Sequence, residues 1–195
     1  MSTTESKTRG YSMTSAWAFI DATYDSAVRE KIVEQLSPEV RKALGTYKDI
    51  EFYPAVHFGD VLRGVGVVVG KDSAGAEKEI EACGGYIAHH ATNTFLRLIM
   101  RVLTPTLFAK KIPSLWSRDN TNGAFSVDFS GADKGRLIFT LKDIADYPFI
   151  APCAKGWIGF AMKTMGRSVE SMKLSGWSLE SPSPEQVQID LQLAQ

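Results

Sequence analysis

The chain has 195 residues, of which 44% are hydrophobic and 23% are charged, a balance typical of a folded globular protein. Its 22 Lys and Arg residues equal its 22 Asp and Glu residues, so no net charge attracts it to nucleic acid or to anionic lipid. We therefore expect no nucleic-acid partner. The same neutrality leaves little repulsion between copies of the chain, which favours self-association.

The two cysteines, Cys83 and Cys153, match neither a disulfide framework nor any zinc-binding spacing. Two isolated thiols suit a reducing compartment. The first ten residues are polar and lack the apolar core of a signal peptide, and no apolar stretch approaches the ~20 residues of a membrane span. The sequence therefore predicts a cytoplasmic protein with no membrane-spanning segment.

Helical periodicity dominates the first part of the chain. Residues 1–12 are rich in Ser and Thr and are expected to form a disordered tail. Apolar residues at every fourth position predict a helix over residues 21–36, and Ser37-Pro38 is typical of the start of the next helix. The β-branched run at residues 65–69 lies in a helical context, and we interpret it as helical.

The longest helical pattern covers residues 74–103 and ends at Thr104-Pro105. Gly84 and Gly85 are predicted to break or kink it. Its later part carries one apolar face with a spacing of four residues: Ile87, Ala91, Phe95, Ile99 and Leu103.

The second part of the chain alternates in the manner of strands. We predict an α+β fold in which an N-terminal helical layer packs on a four-stranded antiparallel sheet, made of two hairpins with an intervening helix. One domain is expected over residues 13–195, with a helical part (13–118) and a hairpin-helix-hairpin part (119–195). The predicted strands cover residues 124–129, 136–141, 169–179 and 187–193, and the helix covers residues 149–165.

No motif for catalysis, nucleotide binding or a metal is present. The glycines Gly64, Gly66 and Gly70 fit neither a dinucleotide fingerprint nor a P-loop. No GxSxG occurs, and the carboxylate pair Glu77 and Glu81 is interpreted as a solvated helix face. We therefore expect a protein that is not an enzyme and that carries no metal and no cofactor.

His89 and His90 are the only adjacent histidines. Neighbouring residues lie about 100° apart on a helix, so the two cannot bind one ion from the same face. His90 is predicted to be solvated. His89 is predicted to lie at the edge of the apolar face, either as a core-edge residue or as part of a ligand site.

The helix at residues 149–165 is apolar around much of its circumference, which predicts burial on more than one side. Plain core packing and a dimer interface are both compatible with this pattern. In the dimer interpretation, Gly156 and Gly159 allow close backbone approach, and Lys155 and Lys163 lie at the polar rim.

Several segments between residues 80 and 180 carry a family resemblance. They are His89-His90-Ala-Thr-Asn-Thr-Phe95, Leu115-Trp-Ser-Arg118, Cys153-Ala-Lys-Gly-Trp-Ile-Gly-Phe160 and Met165-Gly-Arg-Ser-Val-Glu170. In these the chain resembles the superfamily of 4-vinyl-reductase domains, haem-NO-binding domains and TRAPP vesicle-tethering subunits. It is similar, more narrowly, to an uncharacterised myxobacterial family of about 180 residues.

The resemblance implies a dimer and an apolar ligand cavity between the helices and the sheet. The residues expected to line the cavity are His89, Phe95, Leu96, Met100, Trp116, Cys153, Trp157 and Phe160. Two departures argue against haem and metal. The Tyr-x-Ser-x-Arg signature of haem-NO domains is broken, since Arg29 falls one place late after Tyr24-Asp-Ser26, and the cysteine-rich tail of 4-vinyl-reductase domains is absent.

Two functions remain open from the sequence. One is a non-enzymatic sensor or adaptor that binds a hydrophobic small molecule, a protein partner or both. The other is a dimerising scaffold without a ligand. An enzyme whose site follows no known motif is the least favoured interpretation.

Overall fold

The computed structural model describes residues 5–92, 100–181 and 185–194. Helices make up most of the described residues up to Asp119, and after it one described α-helix separates two β-hairpins. The helices are α1 (Tyr11–Thr23), α2 (Ser26–Gln35), α3 (Pro38–Ala43), α4 (Ala55–Val65), α5 (Ser73–Ala91), α6 (Pro105–Asp119) and α7 (Ile150–Thr164). Among the described residues, no helix is long and apolar enough to span a membrane.

The main sheet has four antiparallel strands in the order β3-β4-β6-β5. The two hairpins join through β4 and β6, where Leu137 faces Leu191 and Phe139 faces Ile189. The strands are β3 (Ala124–Asp128), β4 (Arg136–Lys142), β5 (Val169–Ser175) and β6 (Gln186–Leu193). This arrangement confirms the predicted α+β fold.

Residues 5–12 are more ordered than predicted. Strand β1 (Lys7–Arg9) pairs antiparallel with β2 (Phe52–Pro54), and α1 already begins at Tyr11. On its other side, β1 forms a bridge from Thr8 to Asn120. Thr8 is only 1% exposed, so a segment expected to be a disordered tail lies against the body of the protein.

Side-chain caps fix several helix starts. Asp25 accepts a hydrogen bond from the Val28 N–H at 2.9 Å and separates α1 from α2 inside a region predicted as one helix. Thr104 caps α6 through the Leu107 N–H at 3.2 Å, with Pro105 in the first turn. Helix α6 runs from this cap to Asp119.

The glycines of α5 do not break it, contrary to the prediction. A β-carbon at Gly84 would collide with the Cys153 carbonyl oxygen on α7, and one at Gly156 would collide with the Glu81 carbonyl oxygen on α5. The two helices therefore cross with their backbones in contact, which only glycine allows. The run predicted as helical at residues 65–69 forms a π-helical segment, Gly66–Gly70, between α4 and α5.

One core joins the helices to the sheet. Its largest fully buried side chains come from both parts of the chain and include Tyr147, Phe58, Phe139, Met13 and Ile20. Helix α7 lies at the centre of this core, because ten of its fifteen residues are buried.

Candidate functional site

An apolar pocket of about 90 Å³ lies between α1, α6 and α7, with strand β3 at one side. Aromatic and aliphatic side chains form most of its wall, and polar groups from β1, α1 and the end of α6 close one end. The wall consists of Thr8, Tyr11, Ser12, Phe58, Ile87, Ile112, Leu115, Trp116, Arg118, Asp119, Asn120, Phe125, Ile150, Cys153, Ala154, Trp157 and Ile158.

Ring contacts and hydrogen bonds hold the aromatic wall in place. The Trp116 ring meets Phe125 edge-on at 5.5 Å and stacks on Tyr147 at 6.4 Å. Its indole N–H donates to the carbonyl oxygens of Asn122 and Gly123 at 3.1 and 3.2 Å. Because both the ring and its polar edge are fixed, Trp116 cannot readily rotate into the pocket.

A buried carboxylate, Asp119, organises the polar end. Arg118 donates to both of its oxygens at 2.9 and 2.6 Å, and the Tyr11 hydroxyl donates at 3.1 Å. The Nε of Arg9 lies 3.3 Å from the same carboxylate and donates to the Arg118 carbonyl oxygen at 3.1 Å. One negative charge is thus shared by two guanidinium groups, which leaves the cluster with one excess positive charge.

Two ionisable groups in the pocket wall, Tyr11 and Cys153, remain neutral near pH 7. Burial raises the pKa of Tyr11 well above its ordinary value, and the neighbouring charge of Asp119 raises it further. Burial also raises the pKa of Cys153 to about 12. Cys153 is therefore a thiol near neutral pH and is not a reactive thiolate.

An open cleft of about 700 Å³ lies beside the apolar pocket. Three residues, Tyr11, Arg118 and Asp119, line both spaces. The cleft also contains Arg9 and Asp49, so it is polar where the pocket is apolar.

The structure brings together three of the residues predicted to line a cavity: Trp116, Cys153 and Trp157. Met100 is buried but lies outside the pocket wall. Phe95 and Leu96 lie outside the described residues.

His89 and Phe160 form a separate pair, with ring centres 5.8 Å apart. Neither residue lines the pocket, and His89 is exposed rather than at the edge of the core. His90 is exposed as predicted and stacks on Tyr86 at 4.3 Å.

Lys155 and Gly156 are used within the chain, which conflicts with their predicted place in a dimer interface. Lys155 is 8% exposed and binds Glu77 at 2.5 Å and Glu81 at 2.8 Å. These two carboxylates, interpreted from the sequence as solvated, bind α7 to α5. Burial works to lower the pKa of Lys155, but the hydrogen bonds to Glu77 and Glu81 outweigh it and hold that pKa above its usual value.

The other two predicted interface residues lie at the surface. Gly159 is half-buried and Lys163 is exposed, and both line a groove with Val169 and Met172 of β5.

No family model matches the chain. No curated protein matches it either. Solved structures of H-NOX proteins are similar to it in fold. The H-NOX protein from K. algicida has a TM-score of 0.71 and 12% identity over 96% of this chain and 97% of that one.

Two further H-NOX structures are also similar to the chain in fold. The protein from S. oneidensis in its Fe(II)NO ligation state has a TM-score of 0.66 and 10% identity, covering 96% of this chain and 99% of that one. A single-residue mutant of the protein from T. tengcongensis has a TM-score of 0.60 and 10% identity, covering 95% of this chain and 96% of that one. The chain has the H-NOX fold.

An H-NOX fold raises the question of whether the pocket fits a haem. Its volume of about 90 Å³ is well below the roughly 300–1,000 Å³ of ordinary cofactor sites. Haem iron takes His, Cys thiolate, Met or Tyr as protein ligands. No histidine or methionine lines the described pocket, Cys153 is held as a thiol, and the Tyr11 hydroxyl donates to Asp119. The described residues of this H-NOX fold do not fit a haem.

The sequence missed the polar end of the pocket. Arg9 and Tyr11 both fall within the segment predicted as a tail, and Asp119 lies more than a hundred positions away along the chain. The one available signal was Trp116-Ser-Arg118, which places an aromatic residue and a cation together but is too short to identify a site.

Proposed function

We propose that this chain is a non-enzymatic sensor or adaptor domain that binds a small apolar molecule directly in its pocket, without haem. The apolar pocket between α1, α6 and α7 carries this proposal. The H-NOX fold supports only the general part of it, a ligand-binding role, because the S. oneidensis protein of that fold was solved in an Fe(II)NO ligation state.

An empty apolar space is unfavourable in a folded protein. At roughly 24 cal/mol per Å³, a cavity of about 90 Å³ costs on the order of 2 kcal/mol compared with a filled core. A ligand recovers that free energy. Since a cavity of about 150 Å³ holds benzene, this one has room for roughly three or four carbon atoms.

Helix α7 is suited to report occupancy of the pocket. Ala154, Trp157 and Ile158 face the pocket, while Lys155 and Gly156 contact α5. A ligand that displaces α7 would therefore act on its backbone contact with α5. We propose that a protein partner recognises this displacement of α7.

Fluorine NMR of protein labelled with 5-fluorotryptophan tests pocket binding, with xenon under pressure as the probe. The chain has four tryptophans, of which Trp116 and Trp157 line the pocket and Trp17 and Trp177 do not. We expect xenon to shift the first two signals and to leave the second two in place. Equal shifts at all four, or none, would contradict the proposal.

A dimerising scaffold without ligand is the alternative. The groove of Gly159 and Lys163 with the 37%-exposed Val169 favours it, because a two-fold partner could cover that surface. Light scattering should then give a dimer mass that Gly159→Leu lowers without unfolding the chain. A monomer mass at micromolar concentration would rule this alternative out.

A further inference from the structure

The apolar pocket and the polar cleft meet at one place. Tyr11, Arg118 and Asp119 form the wall of both. A molecule seated in the pocket at this end therefore lies beside the charged cluster of the cleft.

Some hydrogen-bond donors of that cluster are not used within it. Arg118 uses its Nε and Nη2 on Asp119, and Arg9 uses its Nε on Asp119 and on the Arg118 carbonyl oxygen. Among the described residues, the Nη1 of Arg118 and the terminal nitrogens of Arg9 make no hydrogen bond of normal geometry, and the Arg9 guanidinium lies over the Phe52 ring at 5.0 Å. With two guanidinium groups and one carboxylate, the cluster can accept one further negative charge.

The rest of the cleft restricts where an anion can sit. Asp49 is exposed and accepts a hydrogen bond from the Thr14 hydroxyl at 2.7 Å. Its negative charge disfavours a second anion on that side, so the arginine side is the favourable one. A planar carboxylate matches the paired N–H groups of a guanidinium better than a point charge does.

We propose that pocket and cleft form one site for a small amphipathic carboxylate. Its apolar tail of roughly four carbon atoms fills the pocket, and its carboxylate binds the free N–H groups of Arg9 and Arg118. This inference rests on the proposed function, since it names the chemical class of the ligand that the pocket takes.

The affinities of pentanoate and of its neutral isostere pentanamide are compared to separate the contribution of the carboxylate head from that of the apolar tail. Titrated into 5-fluorotryptophan-labelled protein, both should shift the Trp116 and Trp157 signals, and pentanoate should bind at least tenfold more tightly. The ratio of the two affinities should fall towards one in Arg9→Gln and in Arg118→Gln. Asp49→Asn should raise the ratio two- to threefold because it removes the opposing charge.

Arg41→Gln is the matched control, because Arg41 is exposed on α3 and its substitution removes the same charge at a position away from the cleft. It should leave the ratio unchanged. Equal affinity for pentanoate and pentanamide in the wild type would overturn this inference and leave the proposed function standing. If neither compound shifts the two pocket signals, both fail.

Discussion

The two faces of helix α7 differ in how they meet their neighbours. On the α5 side, Gly156 brings the two backbones into contact, and Lys155 binds two carboxylates. On the α6 side, Trp157 is half-buried and stacks on Phe108 at 5.9 Å, next to the apolar pocket. Glycine removes the space between helices, whereas rigid aromatic rings hold them apart and leave space.

The two faces of α7 therefore differ in role. The crossing with α5 stabilises the fold and fixes the position of α7, so changes there should mainly affect stability. The pocket side is less tightly packed, so changes there should affect ligand binding more than stability. Substitutions confined to one side can therefore test each role separately.

The largest effect is expected at the crossing. A methyl group at Gly156 would collide with the Glu81 carbonyl oxygen and press on the Gly85 N–H, so the backbones must separate. Gly156→Ala should therefore lower the free energy of unfolding by about 3 kcal/mol or more. At this chain length that corresponds to a fall in melting temperature of roughly 6–12 °C.

Gly85→Ala is the control on the opposite helix. Its β-carbon would have the Gly156 carbonyl oxygen at 3.7 Å, an ordinary contact, as its nearest neighbour. Alanine also favours the helix, so stability should be unchanged or rise by up to about 1 kcal/mol. If both variants melt alike, the helices do not cross with their backbones in contact.

The second effect concerns the charge cluster at the crossing. Lys155→Met keeps the aliphatic stem but leaves Glu77 and Glu81 without their cation. Because these carboxylates are 27% and 33% exposed, we expect a loss of about 2 kcal/mol rather than the roughly 3–5 of a fully buried pair. The exposed Lys163, changed to Met, should shift stability by no more than about 0.5 kcal/mol.

The pH dependence of the same cluster has a definite sign. The pKa of Lys155 is raised above 10.5, so its contribution is fully present below that value and is lost as the pH rises through the folded-state pKa. Urea unfolding should show a constant difference between wild type and Lys155→Met from pH 7 to 9, and a smaller one above about pH 10.5. A difference that vanishes between pH 7 and 9 would contradict this account.

The third effect shows whether there is unfilled space on the pocket side of α7. Ala154 lines the pocket, whereas Ala109 is fully buried outside its wall. Leucine at 154 adds three carbon atoms where there is room, so Ala154→Leu should cost less than about 1 kcal/mol or stabilise, while Ala109→Leu should cost about 1–3 kcal/mol. Ala154→Leu should also abolish the xenon response. Equal losses of stability would mean that the pocket is already filled by side chains.

The sequence predicted the elements with strong local signals. Alternation in β3 and β4 and the apolar helix α7 led to the correct α+β fold, since such patterns depend on near neighbours. The glycines Gly84 and Gly85 were wrongly interpreted as a break, because a sequence does not show that another helix needs their missing side chains.

The site was harder to predict for the same reason. Trp116, Cys153 and Trp157 were predicted as cavity residues through the family resemblance, and all three lie in the pocket wall. Asp119 and Tyr11 were not, because a buried charge is recognisable only when its partners are known, and these lie far apart along the chain.

The smallest expected effect is the change in the absorption spectrum when haemin is added. His89 and His90 are the histidines beside the predicted cavity, yet both are exposed and line no part of the apolar pocket. Their rings are engaged with Phe160 and Tyr86. Haemin titration should therefore give no Soret band of a coordinated haem, and wild type and His89→Ala should give the same spectra. The H-NOX protein from S. oneidensis, solved in an Fe(II)NO state, serves as the positive control in the same buffer. A Soret band in the wild type that disappears in His89→Ala would show that His89 binds iron and that the ligand site is not the pocket.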